Sequence, residues 1–109
     1  MPYLAGRFYL KKTTSENLIG EFSNDKSGEV FTEGAVLQPG KPDLAEKDRF
    51  SGSYKSTWLE LGKPRMATLV IRHTHKLFTL EWTDNTQVIF EGSGMLCDDI
   101  LIGDYRVTP

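Results

Sequence analysis

Apolar and polar residues alternate in short runs along most of this chain, and this pattern limits its possible folds more than any other feature. The clearest run covers residues 49–58. Phe50, Tyr54 and Trp58 lie at even-numbered positions of this run, whereas Arg49 and Lys55 lie at odd-numbered positions. We call this odd or even position along a strand the parity of a residue. Side chains on a β-strand point alternately to its two sides, so a period of two predicts a strand with one buried side.

Residues that favour turns interrupt these runs at short intervals, which is typical of all-β sandwiches and barrels. Residues 38–48 differ, because Pro39 and Pro42 break any strand there; residues 43–47 could form one helical turn that plugs an end of a barrel. We predict about eight strands, over residues 3–11, 18–22, 30–37, 49–58, 67–72, 77–82, 87–92 and 100–107.

The length of 109 residues is that of one domain, here residues 1–109. Eight short strands with mostly short connections favour an antiparallel up-and-down barrel, because closure leaves no exposed edge. A two-sheet β-sandwich is the alternative.

The net charge and the cysteine content limit the classes of function that we expect for this chain. The net charge is −2 and the basic residues are scattered, so we expect no nucleic-acid partner. The single cysteine, Cys97, allows no internal disulfide and no cysteine-based zinc site. No signal-like or membrane-spanning apolar run occurs, so we predict a cytoplasmic protein without membrane contact, although a processed secreted fragment would look the same.

Three segments resemble motifs of the avidin and streptavidin family, a calycin-type group of barrels: residues 50–54 (FSGSY), 78–82 (FTLEW) and 89–92 (IFEG). The resemblance implies that Tyr54 is a ligand-binding tyrosine and that Trp82 and Phe90 are aromatic walls of a biotin site. The family has a tryptophan where residues 100–107 have none. We therefore expect the barrel type to be shared, but not biotin as the ligand.

Few residues suggest catalysis or metal binding. His73 and His75 could form half of a metal site, but Arg72 and Lys76 flank them and no third ligand is evident, so we expect a solvated turn. Carboxylates next to Cys97 disfavour a reactive thiolate. We expect the strand glutamates to point to solvent, and we predict no enzyme activity, cofactor or metal; these glutamates are Glu21, Glu33, Glu81 and Glu91.

Aromatic residues of core parity are the best candidates for a ligand cavity. We predict a non-enzymatic barrel that accepts a small, largely apolar molecule between Tyr54, Trp58, Trp82 and Phe90, with Ser56 on the same face. The alternative is an interaction or assembly module whose barrel core is filled. Tyr3 and Tyr9 have outward parity, which predicts a homodimer.

Overall fold

The alternating runs form eight β-strands in a computed structural model, which describes residues 5–26, 28–38 and 50–108. The described residues include no helix long and apolar enough to cross a membrane. The strands are β1 (Ala5–Lys12), β2 (Leu18–Asn24), β3 (Val30–Leu37), β4 (Gly52–Glu60), β5 (Lys63–Thr74), β6 (Leu77–Asp84), β7 (Gln87–Cys97) and β8 (Ile100–Val107).

Each strand pairs antiparallel with the next one in sequence, and β1 also pairs with β8 to close the sheet. This confirms the predicted all-β, up-and-down barrel of eight strands and excludes the two-sheet sandwich. We call the end where β1, β3, β5 and β7 finish the upper end, and the end where β2, β4, β6 and β8 finish the lower end.

The core lies inside the barrel because one parity of each strand points inward. Phe8 and Leu10 of β1, for example, are buried, whereas Tyr9 between them is 38% exposed. The core also contains Leu18, Ala35, Phe50, Tyr54, Trp58, Ala67, Leu69, Ile71, Phe78, Leu80, Trp82, Leu101 and Tyr105.

Several predicted strand limits differ from the observed ones. β4 begins at Gly52 rather than at residue 49, and β7 continues to Cys97 instead of stopping at residue 92. β5 begins at Lys63 and includes Pro64, whereas the predicted strand begins at residue 67. The predicted helical turn at residues 43–47 and the predicted strand residue Tyr3 lie outside the described residues.

One irregularity shapes the lower end. Trp82 pairs with Phe90, but the next residue of β6, Thr83, pairs with Val88, so Ile89 is an extra residue in β7. Such a bulge bends its strand and redirects the neighbouring side chains. Phe90 and Ile89 both pack against the core as partly buried side chains.

Candidate functional site

Three of the four predicted ligand-binding residues meet in the lower half of the barrel. Trp58, Trp82 and Phe90 border a cavity of about 20 Å³, which we call the aromatic cavity. This volume is enough for about one water-sized group. The other residues that line it are Phe8, Phe22, Glu33 and Tyr105.

Tyr54 does not line the aromatic cavity. It shares the inward face of β4 with Trp58 but lies four residues closer to the upper end, about 13 Å away along an extended strand. Its hydroxyl donates to the carbonyl oxygen of Phe50 at 2.9 Å and accepts from Lys12 Nζ at 2.8 Å. The structure therefore separates Tyr54 from the other three predicted residues.

The aromatic rings around the cavity contact one another edge to face. Phe90 lies 5.7 Å from Tyr105, 6.1 Å from Trp58 and 6.3 Å from Trp82 between ring centroids. Phe22 contacts Trp58 and Tyr105 in the same way. Edge-to-face pairs stabilise by about 0.5–1.5 kcal/mol each beyond their buried area, so these rings hold one another in place.

Glu33 is the residue that the sequence analysis placed wrongly. We expected it to point to solvent, but its side chain points into the barrel and is only 2% exposed. The reason is its parity on β3, since Glu33 and Ala35 both point inward while Thr32 and Gly34 are exposed. The alternation of Phe31, Glu33 and Ala35 was the signal that could have identified it.

The carboxylate of Glu33 is held by two neighbours. Ser56 Oγ donates to Oε2 at 2.5 Å, and Trp82 Nε1 donates to the same oxygen at 2.8 Å. No donor from the described residues reaches the other oxygen, Oε1. Glu33 also lines the aromatic cavity.

Burial raises the pKa of the Glu33 carboxyl, and this effect outweighs the two hydrogen bonds, which lower it. A carboxyl with a shifted pKa inside a cavity marks a candidate functional site. A nearby cation would favour the charged form and act in the opposite direction.

Tyr105 is the other titratable group in the lining. Its hydroxyl donates to the carbonyl oxygen of Ser23 at 2.9 Å. Burial, followed by the negative charges of Asp25, Glu33 and Glu60, raises its pKa to about 12. The phenol therefore stays neutral at physiological pH.

The remaining candidates lie away from the aromatic cavity. His73 belongs to β5 and stacks on Phe78 with 4.3 Å between ring centroids, while His75 lies in the following turn with a φ of 56°. Cys97 is exposed at the end of β7. Among the described residues, no three His, Cys, Asp or Glu side chains form a group that could hold a metal ion.

Comparisons with protein-family models, with curated proteins and with solved structures found no match to this chain.

Proposed function

We propose that this protein is a non-catalytic, small-ligand-binding barrel whose ligand enters the aromatic cavity. The observation that carries the proposal is an inward carboxylate surrounded by aromatic rings, with one oxygen that no described donor reaches. Small-molecule sites combine apolar walls with a few polar groups in this way. Trp58, Trp82 and Phe90 form walls, and Glu33 supplies the polar contact.

The size of the cavity limits the ligand. A volume of about 20 Å³ accepts one small terminal group of a molecule, so the rest of the ligand lies toward the lower end. Phe22 and Phe31 are partly exposed there and stack with 5.1 Å between ring centroids. They offer an apolar surface to an alkyl chain.

The chemistry of the lining favours binding over catalysis. Acid–base catalysis needs groups that gain and lose protons near the working pH. Glu33 and Tyr105 are the two titratable groups of the lining, and the pKa of Tyr105 is too high for such exchange. Glu33 would therefore act without a second acid or base from the described lining.

A titration followed by nuclear magnetic resonance tests this function. The probes are n-butanol and n-butylammonium, and the signals are the indole Nε1–H groups of Trp58 and Trp82. We expect at least one probe to shift both indole signals in a saturable way. If neither probe shifted the indole signals in a saturable way, the proposal would be contradicted.

Two leucine variants locate the site. Phe90→Leu removes an aromatic wall and should weaken binding about two- to tenfold, because one ring contact contributes about 0.5–1.5 kcal/mol. Phe78→Leu is the matched control, since Phe78 is a buried core phenylalanine on the adjacent strand that does not line the cavity. Equal weakening by both substitutions would place the binding site elsewhere.

A second candidate function, self-assembly, has an observation of its own. A groove of about 590 Å³ on the outside of the barrel contains the apolar side chains of Tyr9, Met95 and Ile102. Arg7 and Asp104 also line it, so a second copy related by a twofold axis could place opposite charges together. We propose this groove as the surface of the homodimer.

A further inference from the structure

The charge around the aromatic cavity suggests the chemical class of its ligand. Glu33 is the one charged side chain of the described lining, and no basic side chain of that lining neutralises it. Its Oε2 already accepts from Ser56 and Trp82, which leaves Oε1 for a donor on the ligand. A buried carboxylate is stabilised by a charged donor more than by a neutral one.

The aromatic rings that line the cavity also favour a positively charged ligand. The face of a tryptophan or tyrosine ring attracts a cation within about 6 Å of its centroid, and tryptophan does so best. Two tryptophans and a tyrosine line the same cavity as Glu33, and Trp82 directs the Nε1–H edge of its ring at Oε2. The other two rings and the carboxylate would act on one cationic group together.

The acidic residues that act on Tyr105 also favour a positively charged ligand. Asp25 and Glu60 act on Tyr105 in the same direction as Glu33 does. Arg65 is a nearby counter-charge, since its Nη1 pairs with Glu60 Oε1 at 3.2 Å, but both of these side chains are substantially exposed to solvent. Exposed pairs are weak, so Arg65 offsets only part of the charge that Glu60 exerts on Tyr105.

We propose that the aromatic cavity recognises a primary alkylammonium group, with Glu33 as its counter-ion and Trp58 and Tyr105 as its cation-binding rings. The proposal rests on the small-ligand-binding function proposed above. An ammonium group is about the size of a water molecule and therefore suits a cavity of about 20 Å³. The alkyl chain would pack on Phe22 and Phe31 at the lower end.

The test compares n-butylammonium with n-butanol, which have the same alkyl chain but differ in the charge of the end group. Near pH 7.5 a primary alkylamine is protonated, because the pKa of an alkylammonium lies near 10.4. We expect the wild type to bind the ammonium at least about tenfold more tightly than the alcohol, which corresponds to about 1.4 kcal/mol. Glu33→Gln should reduce this preference to less than about threefold, because the amide lacks the negative charge that pairs with an ammonium group.

Glu81→Gln is the matched control. It removes the same charge from an outward-facing position on β6 that does not line the cavity, so it should keep the wild-type preference. Urea unfolding of all three proteins checks that Glu33→Gln is folded; if it is not, Glu33→Asp replaces it and should weaken the preference by shortening the reach of the carboxylate.

The outcomes separate this inference from the proposed function. Equal binding of the two probes by the wild type would overturn the ammonium assignment and leave the binding function standing. Binding of neither probe would overturn the binding function itself. An unchanged preference in Glu33→Gln would also overturn the inference, because the counter-ion would then be another group.

A third probe, Nα-acetyl-lysine N-methylamide, distinguishes two sources of the alkylammonium group. If it binds as tightly as n-butylammonium, a lysine side chain fits the site, and the inference is supported with a protein-derived ligand. If it binds more weakly, the inference is supported with a free amine, because the peptide groups then interfere at the lower end.

Discussion

Glu33 shows what the position of a single residue on a strand can decide. Its residue type predicts exposure, because glutamate is rarely buried without a partner. Its parity on β3 predicts the opposite, and the structure follows the parity because Ser56 and Trp82 supply hydrogen bonds inside the barrel. Ser56 lies on β4, which pairs directly with β3, but Trp82 lies on β6 and reaches Glu33 only because the sheet closes into a barrel.

The raised pKa of Glu33 predicts a pH dependence of stability. The folded protein binds the proton of the Glu33 carboxyl more tightly than the unfolded chain does. The contribution of Glu33 to the free energy of unfolding is therefore largest at low pH. It falls as the pH rises above the ordinary value of 4.5, by at most about 1.4 kcal/mol per pH unit for one proton. Urea unfolding of the wild type and Glu33→Gln across pH 4–8 measures this effect. The free energy of unfolding should decrease less with rising pH in Glu33→Gln than in the wild type.

Other carboxyl groups contribute to the same curve, so the comparison needs a control. Glu81→Gln should keep the wild-type slope, because Glu81 lies on the outward face of β6. Parallel curves for the wild type and Glu33→Gln would show that Glu33 is solvated in the folded protein, contrary to its position in the structure.

Glycine determines how closely neighbouring strands approach. A Cβ atom built on Gly20 of β2 would lie 1.8 Å from the carbonyl oxygen of Tyr9 on β1. A main-chain atom cannot yield as a flexible side chain can, so only glycine allows this approach. A Cβ atom on Gly34 of β3 would meet nothing within 4 Å.

These two glycines give a matched pair of substitutions. We expect Gly20→Ala to destabilise the barrel by about 1–3 kcal/mol or more, because β1 and β2 must move apart. Gly34→Ala should change the free energy of unfolding by no more than about 0.5 kcal/mol, the usual range for an exposed site. Denaturant unfolding measures both, and equal effects would contradict the close approach at Gly20.

The existence of most strands could be predicted from the sequence, but several of their ends could not. The predicted strand begins at residue 67, after Pro64, a residue that lacks an N–H donor for strand pairing. The structure accommodates it because β5 pairs with β6 only from Thr68 onward, so residues 63–67 have a strand partner on the β4 side alone. Proline is compatible with such an edge.

The candidate site was predictable to a similar degree. Parity placed Trp58 and Trp82 inside the barrel, and that prediction is confirmed. Parity does not say how far along the barrel axis a side chain lies. That position depends on strand register, and it separates Tyr54 from the cavity. The bulge at Ile89 carries no clear signal in the sequence either, yet it sets the position of Phe90.

At the scale of the whole molecule, the number of strands sets the room inside. Eight strands enclose an interior just wide enough for side chains or one small ligand. Among the described residues, buried side chains occupy the interior around a cavity of about 20 Å³ in the lower half. Under the proposed binding function, the ligand would insert one small group there.

The outer groove predicts the oligomeric state. We expect light scattering at high micromolar concentration to give twice the chain mass of 12.3 kDa, and Tyr9→Ala to shift the protein toward the monomer by removing apolar area. Met66→Ala is the control, since Met66 is 51% exposed and lies outside the groove. A monomer mass for the wild type, or a dimer unaffected by Tyr9→Ala, would contradict this surface.

The buried carboxyl of Glu33 can be tested directly by titrating it, with its side-chain carbon followed by nuclear magnetic resonance and assigned with Glu33→Gln. We expect its pKa to lie above the ordinary value of 4.5 in the free protein, because the group is buried. Saturating n-butylammonium should lower that pKa, because a bound cation stabilises the carboxylate. A pKa at the ordinary value that n-butylammonium leaves unchanged would contradict both the buried carboxylate and the ligand proposed for it.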